Sequence, residues 1–132
     1  MADPKIVNEW LNKSDEDFHF ADVNLKEGGN FYAQICFHFQ QAAEKYLKAF
    51  IVAYDLEFEK IHNLVSLLKI CSKKESSLSS IFDECDFLSD FYIDTRYPVH
   101  WPTEYTKEKA LKAKETVLKI AETVKGLLRE FK

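Results

Sequence analysis

The chain has 132 residues, and at roughly 100 to 200 residues per domain this length leaves room for one hydrophobic core. It contains only 3 glycines and 3 prolines and is 46% hydrophobic, which argues against turn-rich β-sandwiches and barrels and against disorder. The net charge of −4 argues against a generic high-affinity duplex binder, so any nucleic-acid contact must be local.

Membrane insertion, secretion and metal binding find little support in the sequence. The longest apolar run covers residues 49–54, far short of the roughly 18 residues of a transmembrane helix, and no signal-peptide pattern opens the chain. The three cysteines, Cys36, Cys71 and Cys85, are odd in number and lack metal-ligand spacing. We therefore expect a cytoplasmic protein with reduced, buried thiols and with neither a metal nor a cofactor.

Two long helices are predicted in the first part of the chain. Apolar residues recur at helical spacing from about residue 5 to 26, and Gly28-Gly29 ends this pattern. Asn30 is placed to cap a second helix that extends to about Tyr54. Because this second helix is the most hydrophobic, we expect it to be central.

Three further helices complete the prediction. One follows His62-Asn63, and another is expected after a cap at Ser76 or Ser77. The last helix is expected to follow Thr103 as its N-cap and to reach the C-terminus. Short connections favour antiparallel neighbours, so the whole chain is predicted to form a single all-α domain, an up-and-down helical bundle.

One side of the predicted second helix is polar. It carries Gln34, Gln41, Glu44, Lys45 and Lys48. The helical wheel also places Phe37 between Glu44 and Lys48 in direction. This stripe is either an ordinary solvated face with a favourable i,i+4 pair, or a protein interface, since a large apolar side chain within a polar stripe is often covered.

The last predicted helix is locally basic. Residues 103–132 carry 8 basic and 5 acidic groups, a net charge of +3. The lysines aligned along it are Lys107, Lys114, Lys125 and Lys132. They border the apolar face, where lysine stems can cover hydrophobic surface while the amines stay in water. Phosphate binding is the alternative interpretation.

The segment from Asp94 to Pro102 breaks the helical pattern and is predicted to be a structured loop. It contains Arg96, although nearly all the other basic residues are lysines. A guanidinium can bind a phosphate or carboxylate through two parallel hydrogen bonds, and Tyr97 or Trp101 offers a stacking face for a base. Alternatively, an internal acid holds Arg96 and the loop only closes the bundle.

Four stretches, in this order and spacing, resemble the HEPN-domain family, the small all-α family named for higher eukaryotes and prokaryotes. They are Trp10 with Asp15-Glu16-Asp17, then residues 40–49 (QQAAEKYLKA), then residues 62–68 (HNLVSLL), then residues 94–98 (DTRYP). The resemblance implies a bundle of four long helices and a shorter one, assembled as a homodimer. It also implies that the protein functions together with a small nucleotidyltransferase, as its substrate-binding or toxin partner.

The resemblance also assigns motif positions. Gln41, Glu44 and Lys48 match the second-helix motif, His62 matches the start of the third helix, and Arg96, Tyr97 and Pro98 match the loop motif. HEPN ribonucleases use an Arg, four to six intervening residues and a His. Here Arg96 and His100 are separated by only three residues, one of them Pro98.

The preferred hypothesis is therefore a non-catalytic HEPN protein that binds nucleotide or nucleic-acid phosphates and partners a nucleotidyltransferase in a two-component, toxin–antitoxin type of system. Its phosphate-binding candidates are Arg96, Tyr97, Lys48 and His62. Its candidates for lining the cleft or an interface are Phe37, Gln41, Glu44 and Trp101. The alternatives are a metal-independent ribonuclease toxin that uses Arg96 and His100, and a purely structural helical dimer or adaptor.

Overall fold

The computed structural model describes residues 2–57, 63–91 and 105–129, and these parts of the chain are entirely helical or irregular, with no strand. The helices are α1 (Pro4–Lys26), α2 (Tyr32–Ala53), α3 (Leu64–Lys74), a 3-10 helix (Ser76–Ile81), α4 (Phe82–Ser89) and α5 (Lys107–Leu127). The predicted all-α helical bundle is confirmed.

Helix α2 is the centre of the bundle, as its hydrophobicity predicted. It packs against α1, α3, α4 and α5, and Phe39, Tyr46 and Phe50 are among its fully buried large side chains. Burying one such side chain stabilises the fold by roughly 1.5 to 3 kcal/mol. The α2 register therefore determines which of its polar residues also enter the interior.

Helix α1 runs antiparallel to both α2 and α5. The backbone amide of Ala2 donates to the carbonyl of Ala53. Further along α1, the ring of Phe18 packs on that of Phe39, with 5.5 Å between the ring centroids. Ion pairs join Asp15 to Lys125 and Asp22 to Lys114. Residues of increasing number along α1 therefore contact residues of decreasing number on both α2 and α5. Helices α2 and α5 consequently run parallel to each other.

Helix α4 packs antiparallel to α5 through its acidic and aromatic side chains. Glu84 pairs with Lys119 at 3.1 Å, and the amine of Lys112 lies 4.2 Å from the ring centroid of Phe87. Cation–π contacts of this kind contribute about 0.5 to 1 kcal/mol at exposed sites. These contacts place Glu84 and Phe87 against the basic last helix, whereas Asp83, Asp86 and Asp90 of the same region are exposed.

Three of the predicted helix caps are wrong. Phe31 rather than Asn30 precedes α2, and no side chain caps that helix. Glu75, not Ser76 or Ser77, caps the 3-10 helix, because its carboxylate accepts from the backbone amide of Ser77, two residues further along the chain. The last helix is capped by Thr106, whose hydroxyl accepts from the amide of Lys109 at 3.2 Å, whereas Thr103 lies outside the described residues.

The cysteines behave as predicted. Cys36, Cys71 and Cys85 are buried and free, and burial raises the pKa of each thiol to about 12. A thiol with so high a pKa is not a reactive nucleophile at neutral pH. Across the described ranges there is no cluster of His, Cys, Asp and Glu suited to a metal ion, and none of their helices has the length and apolar character needed to cross a bilayer.

Candidate functional site

The site residues predicted from the sequence fall into two groups. His62, Arg96, Tyr97, His100 and Trp101 lie outside the described residues. Phe37, Gln41, Glu44 and Lys48 all lie on α2 and are described. The geometry of the candidate site is therefore built from α2 and from what packs against it.

Glu44 and Lys48 form a buried ion pair. The Lys48 amine donates to the Glu44 carboxylate at 3.0 Å, and the side chains of Lys48 and Glu44 are only 9% and 4% exposed, respectively. The interpretation of this stripe as an ordinary solvated face is wrong for these two residues. Two charges are kept in a fold interior only when each is paired and hydrogen-bonded. This pair is therefore the least typical feature of α2.

The polar residues next to the buried pair differ in how much of their surface is exposed. Gln40 is completely buried and its side-chain oxygen accepts from the Gln41 side-chain Nε2 at 2.8 Å, while Gln41 itself is half-buried. Phe37 is also half-buried, and its ring meets that of His38 edge-on at 5.5 Å. Phe37 is thus partly covered within the chain.

A second polar cluster, which the sequence analysis did not assign, joins three helices. We call it the α1/α2/α5 seam, and it comprises Asp15, Asp17, Lys45, Tyr46 and Lys125. Lys45 pairs with Asp17 at 2.5 Å, and Lys125 pairs with Asp15 at 2.8 Å. The hydroxyl of Tyr46 also donates to Asp15. The seam links the first, second and last helices through side chains that are distant in sequence.

Tyr46 is locked in its protonated form. Burial raises the pKa of its hydroxyl far above the ordinary value, and the hydrogen bond to the Asp15 carboxylate raises it further. The phenol is therefore a permanent donor at physiological pH and does not exchange protons as a catalytic acid would. Its contact with Asp15 is structural.

Helix α5 uses two of its aligned lysines in the same way. Lys114 pairs with Asp22 at 2.7 Å, and Lys125 pairs with Asp15. Burial acts to raise the pKa of Asp22, but hydrogen bonds from Lys114 and Lys26 outweigh it and leave the pKa lowered. Both lysines thus already have carboxylate partners, which disfavours the interpretation of the aligned lysines as a phosphate-binding row.

Comparison with known proteins gives the family. The sequence model of the HEPN domain matches residues 7–127. The chain belongs to the HEPN family.

Similar proteins span nearly the whole chain. The protein named "Putative toxin MJ1304", from Methanocaldococcus jannaschii, is 27% identical over 96% of this chain and 88% of its own length. The crystal structure of TT1696 from Thermus thermophilus matches with a TM-score of 0.80 and 28% identity, over 91% of this chain and 96% of that one. ST0689, an archaeal HEPN homologue, matches with a TM-score of 0.73 and 23% identity over 96% and 98%.

Much of the HEPN match in α1 and α2 coincides with structural contacts. Asp15 and Asp17, quoted in the first matching stretch, hold Lys45 and Tyr46 of the second stretch. The sequence showed these acidic residues shortly before Phe18 but not their partners, which lie 28 or more positions away. In this HEPN chain, the matching residues Asp15, Asp17, Lys45 and Tyr46 hold helices together.

Proposed function

We propose that this chain is a non-catalytic HEPN protein that binds nucleotide or nucleic-acid phosphates in a local cleft and partners a small nucleotidyltransferase in a toxin–antitoxin type of system. Family membership supports the general class, and the toxin named in Methanocaldococcus jannaschii supports a role in such a system. In this proposal the chain is a cytoplasmic homodimer and needs no metal or cofactor.

The observation that carries the non-catalytic assignment is the spacing of Arg96 and His100. Three residues separate them, and Pro98 is one of these. HEPN ribonucleases place four to six residues between the two, and a proline within the pair opposes a continuous helix through it. We infer that the arginine is kept for binding rather than for cleavage.

Each candidate residue has a part in this proposal. Arg96 binds a phosphate through its planar fork, Tyr97 stacks on or positions the bound group, and His62 adds a polar contact. Lys48 has a supporting part, because its amine is already held 3.0 Å from Glu44 inside the fold. The Glu44 and Lys48 pair is proposed to back the cleft from α2.

The homodimer is proposed to use the polar side of α2. Phe37 and Gln41 are both half-buried within the single chain, so each keeps surface that a partner can cover. Aromatic side chains are enriched in interface centres. Trp101, from the loop predicted for residues 94–102, is a further interface candidate. Phe37→Asp is expected to shift the purified protein from dimer to monomer in light scattering, and a dimer that survives this change would remove the assignment.

The binding function is tested by calorimetry with a short single-stranded RNA. Arg96→Ala is expected to weaken binding about tenfold or more, since hydrogen bonds to charged groups are worth about 1.5 to 3 kcal/mol. The chain offers a matched control, because Arg129 is its other arginine and is exposed. Equal affinities for the Arg96→Ala and Arg129→Ala variants would refute the phosphate role.

The partnership is tested by co-expression with the nucleotidyltransferase encoded nearest to this chain's reading frame. Affinity purification of either protein is expected to retain the other at a fixed stoichiometry through size exclusion. Elution of two separate peaks at micromolar concentration would reject this part of the proposal.

A ribonuclease toxin that uses Arg96 and His100 is the second candidate. Its support is the name of the Methanocaldococcus jannaschii relative together with residue types suited to the chemistry, since a histidine transfers protons near neutral pH and an arginine stabilises phosphate charge. Purified protein incubated with total RNA separates the two candidates. Cleavage that His100→Ala abolishes would favour the ribonuclease.

A further inference from the structure

The start of α2 exposes an aromatic side chain that folding does not explain. The N-cap position favours Ser, Thr, Asp or Asn, yet Phe31 occupies it, 64% exposed and without a capping hydrogen bond. Gly28, at a φ of +76°, turns the chain out of α1. A Cβ on Gly29 would lie 3.2 Å from the Phe31 ring, so this glycine lets the ring rest against the backbone.

A second exposed aromatic residue lies across a groove from Phe31. Phe20 of α1 is 53% exposed, and its ring lies 4.6 Å from that of His38. The His38 ring also lies 5.5 Å from that of Phe37, and its Nδ1 lies 3.5 Å from the Asp17 carboxylate. Phe20 therefore packs on a half-buried imidazole.

The groove between these rings is small, and its described lining contains no carboxylate, lysine or arginine side chain. It measures about 270 Å³, and the described residues that line it are Phe20, Asn24, Phe31, Gln34, Ile35 and His38. Drug-sized ligands occupy roughly 300 to 1,000 Å³, so the groove suits a single ring system. No Lys, Arg, Asp or Glu is among its described lining residues, which matches a neutral ligand.

Two amides give the groove hydrogen-bonding groups. The side-chain nitrogen of Asn24 donates to the carbonyl of Phe20 at 2.8 Å. Because a carbonyl only accepts, this bond fixes the orientation of the amide and leaves the Asn24 Oδ1 as an acceptor. Gln34 is exposed and adds a donor and an acceptor. Asparagine and glutamine amides of this kind read the edges of bases.

We propose that this groove, bounded by Phe20 and Phe31, binds an unpaired nucleobase that carries an exocyclic amine. The rings supply stacking faces, the Asn24 Oδ1 accepts from the amine, and the described lining offers no lysine or arginine to hold the phosphate, which stays outside. The preference follows from the fixed acceptor: adenine and cytosine present an amine, and uracil and hypoxanthine do not. Where the base belongs to a bound RNA, the inference rests on the proposed function and adds a base-reading point to it.

Saturation-transfer NMR with free adenosine tests the groove without any phosphate. Adenosine is expected to receive signal on its base protons, and inosine to receive several-fold less. Phe20→Leu and Phe31→Leu keep apolar bulk but remove the stacking face, so each is expected to weaken adenosine binding about 5- to 150-fold. Phe82→Leu is the matched control, because Phe82 is also an exposed phenylalanine, 44% accessible, on α4.

The outcomes separate this inference from the proposed function. Loss of adenosine signal in both groove variants, with Phe82→Leu unchanged, supports the base site even if the protein fails to bind RNA through Arg96. Equal adenosine signals in all three variants overturn it. If the groove variants leave adenosine unaffected but change the sedimentation coefficient, the patch is a protein interface and the base site is rejected. Equal binding of adenosine and inosine overturns the assigned role of Asn24.

Discussion

Two sets of charged residues meet on α2, and they are built differently. Glu44 and Lys48 pair within one helix and are less than 10% exposed. The α1/α2/α5 seam pairs residues from different helices, and its Lys125 and Asp15 side chains are 34% and 47% exposed. Screening by water weakens this partly exposed ion pair, whereas charges held in the interior are costly to separate. The seam thus joins three helices, whereas the buried pair lies within α2 alone.

The largest expected effect comes from breaking the buried pair on one side. Glu44→Gln keeps the shape but leaves the Lys48 ammonium without its carboxylate, and removing one partner of a buried pair costs about 3 to 5 kcal/mol. Urea unfolding is expected to show this loss.

A double replacement sharpens the result for the buried pair. Glu44→Leu with Lys48→Met is expected to recover most of the lost stability, because two apolar side chains of similar volume need no charge partner. If the single Glu44→Gln variant were as stable as the parent protein, separating the charges of this pair would carry no energetic cost, which would contradict the role given to the pair.

The second-largest loss of stability is expected from removing the hydrogen bond that Tyr46 donates to Asp15 in the seam. Tyr46→Phe removes the hydroxyl that donates to Asp15, and a hydrogen bond to a charged group contributes about 1.5 to 3 kcal/mol. Tyr32→Phe is the control, since Tyr32 is half-buried at the start of the same helix. Equal unfolding free energies for the two variants would contradict the role given to this contact.

The Asp22 contact is expected to show a pH-dependent effect of about 1 kcal/mol, the upper range for partly exposed pairs. Its native pKa is lowered from 3.8, with hydrogen bonds from Lys114 and Lys26 outweighing burial. Its contribution is therefore complete above pH 3.8 and declines as the pH falls below this value toward the native pKa. Asp22→Asn is expected to destabilise the protein at neutral pH and to have little effect in strong acid. A difference that grows on acidification would reverse the assigned sign.

The smallest effect belongs to the mostly exposed pair of Lys13 and Glu16. Their side chains are 69% and 66% exposed at 3.4 Å, and such pairs contribute about 0 to 1 kcal/mol. Lys13→Ala is expected to shift the free energy of unfolding by less than about 0.5 kcal/mol. If Lys13→Ala lowered the free energy of unfolding as much as Tyr46→Phe does, the exposed fraction of a side chain would not determine how much its contact contributes to stability.

The sequence predicted the helical architecture well, because apolar periodicity reports directly on the buried face of a helix. The central position of α2 followed from its composition alone. The helix caps were harder to predict from the sequence. Asn30 is of a residue type that favours the N-cap position, but Phe31 occupies that position in α2. Helix-start signals are local, and they compete with side chains such as that of Glu75, whose carboxylate reaches an amide two residues away.

The site was less predictable for a different reason. Periodicity places Glu44 and Lys48 opposite the apolar arc, so their burial depends on neighbours that spacing along α2 does not reveal. The Asp15 and Lys125 contact joins residues 110 positions apart, which no local pattern reports. The exposure of Phe20 and Phe31 follows from which helix faces stay uncovered, so it too becomes visible only in the folded chain.

The most direct test of the central claim is one reaction of the purified protein with a labelled single-stranded RNA, resolved on native and denaturing gels. Non-catalytic phosphate binding by Arg96 predicts full-length RNA on the denaturing gel and a retarded complex on the native gel that Arg96→Ala loses and Arg129→Ala keeps. RNA cut by the parent protein and left intact by His100→Ala would contradict this account.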